Sequence, residues 1–550
     1  MKINNLYKYH PQSKYEFDIE PQNVNSENSD IKTNADQEIY PTIDKNLEYM
    51  KTAYNILINS DIVLRKFSLK SNNKKYNAFI VYIDGMADTD LINHYVLNPL
   101  MLRNKSNTYE EKLNNGENIK IAQKIKNNDL VNYIYNNLIP QNSIKKQTKF
   151  DEIISGINSG NCALFVDTIA TAFDIDVKGF KQRSIDSPNN EIIIKGPQEA
   201  FVESIRTNTS LLRRIANSKD LIIENIQVGK ITKTNCGLCY MGNIANPDLV
   251  AEAKYRLSNL SIDSLISSGQ LEQLIEDDNL HGIPQILSTE RPDKTIKALM
   301  QGRIAILING NPYALILPAV FIDFLASPED GNLKPLFANF LKFIRFVAMF
   351  ITLLLPGLYI AVTSYHQELL PTELLFSILS ARESVPFPII VELLIMEISF
   401  ELIREGGLRV PSAIGPTLGI VGALILGDAA VSANIVSPIL IIIVAITGLA
   451  SFAIPDFSFG FHLRVYRFTF IILGYICGFL GIALGLFMYI ALMCSLQSFG
   501  VSYMAPLIGL EPSYGNKFSV LPFWKQEYRE SYLNPKSKKS QDKISMKWKK

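Results

Sequence analysis

Hydrophobic and polar positions divide the chain into a mixed first part and a second part with long uncharged windows. No Asp, Glu, Lys or Arg occurs in 346–367 or in 468–510, and Asp428 is the only such residue in 411–455. A helix needs roughly 20 apolar residues to cross the ~30 Å hydrocarbon core of a bilayer, and the windows supply that length several times over. The pattern predicts an integral membrane protein with a large N-terminal part in water.

Short apolar runs alternate with segments of helical spacing in the N-terminal part. Runs typical of strands occupy 79–83, 162–167, 191–197, 221–229 and 234–242, and helical patterns begin near Thr89 and cover 198–216. Such alternation is typical of α/β domains, so we predict two α/β subdomains at 46–150 and 151–312. Residues 1–45 have the composition of a disordered polar arm and hold no apolar run of a secretory signal, which predicts a cytoplasmic N-terminal part.

The predicted membrane domain covers 313–510 and is followed by a basic C-terminal tail, 511–550. Lys334, Lys342 and Arg345 precede the first window, so the first helix should run outward from the cytoplasm. The stretch 521–550 carries nine Lys or Arg against three Asp or Glu, which favours a cytoplasmic C-terminus and four spans. Arg464 and Arg467, before the last window, favour five spans instead.

The predicted fold is therefore multi-domain. A soluble N-terminal α/β region of two subdomains precedes an all-α polytopic membrane domain with four or five spans. A re-entrant or interfacial helix accompanies these spans if the stretch 385–407 does not cross the bilayer.

That stretch, 385–407, combines an apolar majority with a stripe of acidic residues. Glu397, Glu401 and Glu405 recur every four residues and share one face of a helix, with Arg404 beside them. Each of these charges would be costly against lipid. Two interpretations remain open: an interfacial helix with a wet face, and a helix whose stripe lines a polar cavity within an assembly.

Asp428 lies in a run of small residues that also allows two interpretations. Small side chains let helices approach closely, which predicts a packing face. They also leave room for a passage, in which a ring of carboxylates would favour cations. In the second interpretation the candidate pore-lining residues are Gly422, Gly427, Asp428 and Val431.

Candidate chemistry is sparse, and we predict that the protein is not an enzyme. Cys236 and Cys239 form a CxxC on a predicted strand, where residues three apart point to opposite faces and cannot share a metal. No phosphate-binding loop and no nucleophile elbow occur in the sequence, and we expect no cofactor and no bound nucleic acid. Charged residues at helical intervals, Glu199, Glu203, Arg206, Arg213 and Arg214, indicate a solvated face. Transport, channel and receptor-scaffold functions remain.

Six segments carry a resemblance, and several of them are long and distinctive: KQRSIDSPNNEIIIKGPQEAFVESIRTNTSLLRRI (181–215), TERPDK (289–294), LLPGLYIAVTSYHQELLPTELLFSI (354–378), RESVPFP (382–388), MEISFELIREGGLRVPSAIG (396–415) and SFAIPDF (451–457). Together they resemble the A subunit of the GerA-family spore germination receptors. The likeness extends roughly from residue 70 to residue 510.

The resemblance implies a polytopic protein of the bacterial spore inner membrane, with the N-terminal region on the core (cytoplasmic) side. It implies a transporter-like B subunit that binds the nutrient, a lipoprotein C subunit and membrane lipid as partners. It also implies a homo-oligomeric ring with an ion pathway, through which nutrient binding releases monovalent cations. The alternative is a non-conducting membrane scaffold that docks the B subunit and downstream germination proteins. A function as an independent solute carrier is less favoured, because we find no inverted repeat among the few predicted spans.

The resemblance is carried over residue by residue. In the soluble part the matching residues are Gly196, Pro197, Glu199, Phe201, Glu203, Arg206 and Asn208. In the membrane part they are Pro386, Phe387, Pro388, Glu397, Glu401, Arg404, Glu405 and Pro411. The family commonly has Gln where this chain has Asp428, so a pore here would attract cations more strongly if Asp428 faced it. As a hypothesis, the acidic stripe faces a wet interior or the basic residues of a neighbouring subunit.

Overall fold

The structure is a computed structural model that describes residues 37–71, 74–101, 127–179, 188, 190–409, 427–508 and 519–541. Its described strands and helices begin with a first α/β subdomain. The strands are β1 (Ile62–Ser71), β2 (Lys74–Ile83), β3 (Ile144–Gln147), β4 (Cys162–Val166) and β5 (Ala172–Ile175). The helices are α1 (Ile43–Ala53), α2 (Thr89–Leu91) with a π-helical continuation Ile92–Leu97, α3 (Asn127–Tyr133) with a π-helical continuation Ile134–Leu138, and α4 (Phe150–Asn158).

The first sheet is antiparallel, and its described strands lie in the order β1-β2-β4-β5-β3. Helices α1 and α4 bury Met50 and Phe150 against one face. The α2 and α3 regions bury Val96 and Ile134 against the other face. Because both faces are covered, β4 and β5 are apolar almost throughout and buried along their whole length.

The second subdomain repeats this arrangement. Its strands are β6 (Leu221–Val228), β7 (Thr234–Met241), β8 (Leu287–Thr289), β9 (Ile304–Ile308) and β10 (Ala314–Leu317). Its helices are α5 (Ile205–Ala216), α6 (Pro247–Ser258), α7 (Ser268–Ile275) and α8 (Pro292–Gln301). The described strands lie in the antiparallel order β6-β7-β9-β10-β8, which is the order of the first sheet shifted by five strands.

Local signals support this repetition. Asp88 accepts hydrogen bonds from the backbone N–H groups of Asp90 and Leu91, and so caps the helix that follows β2. Asn246 accepts one from the backbone N–H of Asp248 and caps the helix that follows β7. The predicted division into two α/β subdomains is therefore seen, with the same helix positions in each.

The C-terminal half is helical. Its described helices are α9 (Pro335–Tyr365), α10 (Thr372–Arg382), α11 (Ile389–Arg409), α12 (Gly427–Ser432), α13 (Pro438–Phe452) and α14 (Phe457–Ser495). A two-stranded hairpin follows, β11 (Gln497–Ser498) and β12 (Val501–Ser502), and then α15 (Ala505–Ile508). Helices α9 and α14 pack with their backbones in contact, because a Cβ atom on Gly474 would lie 2.6 Å from the carbonyl oxygen of Gly357.

Helix α14 is a hairpin of two helical arms rather than one straight rod. Gly478 has φ +59° and ψ −140°, which interrupts the helix. His462 and Tyr489 would be about 40 Å apart in a straight helix, yet His462 Nε2 lies 3.0 Å from Tyr489 Oη. The turn at Gly478 contacts Tyr365 and His366 at the end of α9, so both ends of α14 return toward the soluble subdomains.

The C-terminal segment 519–541 packs on the second subdomain and on α9. Lys536 N donates to the carbonyl oxygen of Ile244 at 2.9 Å, and Val520 N donates to Asn339 Oδ1 at 2.6 Å. Arg303, which is buried, binds both Asp323 and Glu530. This part of the predicted tail is therefore folded against the soluble region.

Several sequence predictions differ from the structure. The predicted boundary at 150/151 cuts through the first sheet, because β4 and β5 pair with strands on both sides of it. The boundary at 312/313 separates β10 from the second sheet to which it belongs. The run 191–197 is not a strand; its backbone is held by the side chains of Glu290 and Arg291 instead.

The number of spans also differs from the prediction of four or five. By length and composition, two helices among the described residues could cross a membrane, Pro335–Tyr365 and Phe457–Ser495, and the second of these is the hairpin α14 with its two arms. Helix α13 has 15 residues, or about 22 Å, which is short of a ~30 Å hydrocarbon core. The predicted window at 414–431 lies mostly outside the described residues.

Candidate functional site

The acidic stripe of α11 meets arginines of α14 within the same chain. Glu397 Oε2 lies 2.8 Å from Arg467 Nη2, and both side chains are at most 1% exposed. Glu401 contacts the same guanidinium at 3.0 Å and Arg464 at 3.4 Å. The two glutamates are four residues apart on α11 and the two arginines are three residues apart on α14. Each pair therefore shares one face of its helix, and the two faces meet.

Arg404 joins a third helix to these four residues. Its Nη1 lies 3.6 Å from Glu401 Oε1, and its Nη2 donates to Ser451 Oγ on α13 at 2.6 Å. Its guanidinium also lies over the ring of Phe452, 4.5 Å from the centroid. Glu397, Glu401, Arg404, Arg464 and Arg467 are called the ion-pair cluster below.

The ion-pair cluster is rich in charge and incompletely hydrogen-bonded. Three guanidinium groups face two carboxylates, so positive charge is in excess. Within the described residues, neither oxygen of Glu397 accepts an aligned hydrogen bond, and Arg467 Nε has no acceptor. Removing one partner of such a buried pair typically costs about 3–5 kcal/mol. The cluster therefore fixes α11 against α14. If α11 moves relative to α14, these ion pairs must break and their members must find new partners.

A second buried ion pair lies near the start of α11. Glu392 is fully buried, accepts from Arg382 Nη2 at 3.0 Å, and also accepts from the backbone N–H of Ser437 at 3.2 Å. Helices α10, α11 and α13 meet at this carboxylate. The motif residues Pro386, Phe387 and Pro388 directly precede α11, and the carbonyl oxygen of Pro388 accepts from the N–H of Glu392.

The candidate pore residues are only partly described. Gly427, Asp428 and Val431 lie on α12, whereas Gly422 and the motif residue Pro411 lie outside the described residues. Asp428 is exposed and takes part in no ion pair among the described ranges. Val431 packs at the margin of an apolar cluster with Leu440 on α13. The structure thus does not bring Asp428 into the ion-pair cluster.

The soluble motif residues lie around α5 and the loop before it. Asn208 holds that loop through two hydrogen bonds to the backbone of Val202, at 2.8 and 2.6 Å, and Phe201 is buried in the core. Pro197 accepts from Arg291 Nη2 at 2.6 Å. Gly196 has φ +147°, and a Cβ atom there would lie 2.5 Å from Asn332 Nδ2, so glycine fits this contact. Glu203 contributes its carbonyl oxygen to the N–H of Gly310.

Charged residues of α5 join the two subdomains, which the sequence did not predict. Arg213, expected on a solvated face, is 1% exposed and makes two hydrogen bonds of 2.8 Å to Asp61 and one of 2.9 Å to Asn59. Arg206 pairs with Asp84 of the first subdomain, and Arg214 pairs with Glu199. No single-residue signal distinguishes Arg213 from its exposed neighbours, although its position beside buried Leu212 on the apolar face is consistent with burial.

The soluble subdomains contact α14 directly beside the ion-pair cluster. Tyr466, which lies between Arg464 and Arg467 in sequence, donates from its hydroxyl to the carbonyl oxygen of His281 at 3.3 Å. Beyond the other arm, Phe499 N donates to Asp277 Oδ2 at 2.7 Å, and Ser498 Oγ donates to the carbonyl oxygen of Gln285 at 2.7 Å. The first arm of α14 and the hairpin after the second arm therefore both contact the loop that follows α7.

Carboxylates are crowded at the end of α7 and the start of that loop. Burial, with Glu276 and Asp456 nearby, raises the pKa of Glu272 to about 8. Burial raises the pKa of Glu276 to about 7, although the hydrogen bond from the backbone N–H of Gln285 lowers this pKa. Both side chains line a cavity of about 660 Å³ that Ser458 of α14 closes.

The two CxxC cysteines point to opposite faces of β7, as the strand pattern predicts. Cys239 packs with Leu212 and Cys236 packs with Leu249, on different sides of the sheet. Among the described residues, no group of three or more His, Cys, Asp or Glu side chains is placed to hold a metal ion.

Known proteins are similar in sequence to this chain over most of its length. Residues 48–532 match a family model described as Bacillus/Clostridium GerA spore germination protein. The chain is 36% identical over 508 residues to spore germination protein KA of Bacillus subtilis (strain 168), covering 92% of this chain and 88% of that protein. It is 35% identical over 478 residues to spore germination protein GerLA of Bacillus cereus, covering 87% and 93%.

A solved structure is also similar to the N-terminal region. It is the N-terminal domain of the A subunit of the Bacillus megaterium spore germinant receptor GerK3, which is 33% identical and covers 52% of this chain and 99% of that chain, with a TM-score of 0.37.

Proposed function

Because the chain belongs to the GerA family, as the A subunit of a spore germinant receptor, we propose that it converts nutrient binding into cation release across the spore inner membrane. It does so as an oligomeric ion channel, with the soluble subdomains on the core side. Subunits of this family work with other receptor subunits. The partners proposed for this chain are a nutrient-binding, transporter-like B subunit and a lipoprotein C subunit.

The observation that carries the proposal is the position of the ion-pair cluster. It lies on α14 next to Tyr466, which contacts His281 of the second subdomain. It holds α11 through Glu397 and Glu401. A displacement of the soluble subdomains relative to α14 would therefore act on the charges that fix α11.

Conduction is proposed for the region of α12 and the residues just before it. Asp428 is exposed on this single chain and would place one carboxylate per subunit around a shared axis. A ring of carboxylates favours cations over anions. The four or five spans predicted from the windows remain part of this proposal, because 410–426 lies outside the described residues.

Neutralising the acids of the ion-pair cluster tests the coupling. Glu397→Gln with Glu401→Gln should impair the germination response to nutrient, because Arg464 and Arg467 lose both carboxylate partners. The measurement is cation release from spores after nutrient addition, with the amount of the A subunit determined by immunoblot. A full response from spores with normal A-subunit levels would contradict the proposal.

A matched control separates this effect from a general loss of charge. Glu368→Gln with Glu373→Gln removes two exposed carboxylates, one between α9 and α10 and one in the first turn of α10. We expect this control to leave both abundance and cation release unchanged. An equal loss of response in both double variants would mean that the ion-pair cluster has no particular role.

A further inference from the structure

We propose that a cavity between α8, the first turns of α9 and the segment 519–532 binds the phosphate headgroup of an anionic phospholipid. The cavity has a volume of about 640 Å³. Its walls come from three parts of the chain that are distant in sequence, and aromatic and lysine side chains surround it. The inference rests on the membrane location proposed above and does not depend on ion conduction.

The charges that line the cavity favour an anion. Four lysines line it: Lys294, Lys297, Lys334 and Lys342. Its carboxylates are already bound by arginines, since Asp330 pairs with Arg345 at 2.6 Å, Asp323 and Glu530 pair with Arg303, and Asp293 pairs with Arg291. Lys294 pairs with Glu191, whereas Lys297 and Lys334 have no carboxylate within 4 Å among the described residues. Positive charge therefore remains for a ligand.

The position of Lys342 along α9 matches the headgroup layer of a bilayer. Lys342 lies one turn, or about 6 Å, before the charge-free window that begins at residue 346. The headgroup layer on each side of a bilayer is roughly 5–8 Å thick. A lysine at this level meets lipid phosphates while its aliphatic stem packs on apolar surface.

Exposed aromatic side chains occur in the cavity wall and on the adjoining turns of α9. Phe340 and Phe343 project from α9 and are 61% and 63% exposed. Phe523 and Trp524, which line the cavity, are 77% and 44% exposed. Aromatic residues are enriched where a protein passes through the interfacial region of a bilayer, and lysines next to them bind anionic headgroups. Charge and apolar surface thus fit one occupant, an anionic phospholipid.

A lipid in this cavity would link the C-terminal segment to the first membrane helix. Asn339 of α9 already exchanges two hydrogen bonds with the backbone of Val520, at 2.6 and 3.2 Å. Tyr532 and Arg303 close the opposite wall through a 3.0 Å hydrogen bond. A headgroup between these walls would hold α9, the second subdomain and the C-terminal segment together.

Tryptophan fluorescence can measure this binding, because the chain has two tryptophans and one of them lines the cavity. In a Trp548→Phe background, Trp524 is the sole reporter. The purified full-length protein in neutral detergent is titrated with phosphatidylglycerol, with phosphatidylcholine and with inorganic phosphate. We expect a saturable change of Trp524 emission with phosphatidylglycerol alone.

Variants assign the binding to the cavity. Each lysine near an anionic headgroup contributes about fivefold in affinity, so Lys297→Gln with Lys334→Gln should raise the half-saturating lipid concentration roughly 25-fold. Lys297→Arg with Lys334→Arg keeps the charge and should bind like the parent protein. Lys230→Gln with Lys233→Gln, which removes two exposed lysines from a distant loop, should also bind like the parent.

Three results would overturn the proposal. An equal response to phosphatidylcholine would indicate apolar contact alone. An equal response to inorganic phosphate would indicate a site for free anions. Equal affinities in the two lysine-to-glutamine double variants would place the lipid elsewhere. Since no nutrient and no ion flux enter this measurement, its failure would leave the proposed channel function to be judged separately.

Discussion

Buried arginines connect separate parts of this molecule. Arg213 joins the two soluble subdomains, Arg303 binds the C-terminal segment to the second sheet, and Arg467 joins α11 to α14. A guanidinium carries five N–H donors in a planar fork, so one side chain can bind acceptors from several elements at once. When one acceptor is removed, the charge stays buried without its partner, and the contact becomes strongly destabilising.

The contact between the two soluble subdomains contains one buried and one exposed arginine, which can be compared directly. Arg213→Met should lower the free energy of unfolding of the soluble region by about 3–5 kcal/mol, because Asp61 is left in a site where it is 10% exposed. Arg206→Met removes a pair with Asp84 in which the arginine is 54% exposed, and should cost less than about 1 kcal/mol. Thermal unfolding of both variants checks this. Similar losses would show that burial does not distinguish the two contacts.

Glu272 should make stability depend on pH. Burial raises its pKa to about 8, above the roughly 4.3 of an unfolded chain, so the folded state binds the proton more tightly. Its stabilising effect is complete below pH 4 and is lost as the pH rises toward 8. Glu272→Gln should therefore reduce the fall of the thermal midpoint between pH 5 and pH 8. Glu373→Gln, an exposed carboxylate on α10, should leave that fall unchanged.

At the scale of elements, the contact between α9 and α14 depends on glycine. A Cβ atom on Gly357 would lie 2.7 Å from the carbonyl oxygen of Phe470, and one on Gly474 would lie 2.6 Å from that of Gly357. Carbon and oxygen atoms that are not bonded do not approach so closely, so the two helices can cross here only without side chains. Small residues serve the same purpose in packed membrane helices.

Adding one methyl group at this crossing should separate the helices. Gly474→Ala should lower the thermal midpoint of the purified protein and its level in spores. Gly407→Ala makes the same change on α11, where a Cβ atom meets nothing within 4 Å, and should have no such effect because alanine also favours the helix. Equal stability of the two variants would mean that the α9–α14 contact is looser than described.

Element by element, the sequence predicted what local pattern determines. The runs at 79–83, 162–167, 221–229 and 234–242 fall on β2, β4, β6 and β7, because apolar residues that are continuous or alternate are typical of buried strand faces. The run at 191–197 is also apolar at its centre, but it forms no strand, and the side chains of Glu290 and Arg291 bind its backbone at both ends. The reversal at Gly478 was also missed, since one glycine among several in an apolar window carries no distinguishing signal.

The candidate site was predicted in composition but not in arrangement. The four-residue spacing correctly placed Glu397 and Glu401 on one face of a helix. Their partners, Arg464 and Arg467, were interpreted only as topology signals before the last window. The contact between them joins residues more than sixty positions apart, and periodicity along a single helix contains no information about such a pair.

At the scale of the whole molecule, both termini of the described chain lie with the soluble subdomains. The hairpin of α14 returns the chain to the second subdomain, and the segment 519–541 packs there through Lys536 and Glu530. If the soluble subdomains face the spore core, as proposed, this packing places the segment 519–541 on the core side as well. Because α14 is a hairpin, its first arm, which carries Arg464 and Arg467, begins at the end of the molecule where its second arm finishes.

This arrangement predicts the sidedness of the tail. Epitope tags at the N-terminus and at the C-terminus should both be cleaved by protease in inverted membrane vesicles and both be protected in right-side-out vesicles. A tag between α9 and α10, after His366, should show the opposite pattern. Opposite protection of the two terminal tags would contradict the observed packing of 519–541.

The central claim, that this subunit conducts cations, is tested most directly by thiol block of ion flux in vesicles that contain the complete receptor. Cys477 and Cys494 are exposed, so both are first replaced by serine, and Val431→Cys is added to that background. The account predicts nutrient-dependent cation flux that a water-soluble thiol reagent blocks only when Val431→Cys is present. Nutrient-dependent flux that is insensitive to the reagent in both proteins, or no flux from folded receptor, would contradict it and favour a scaffold.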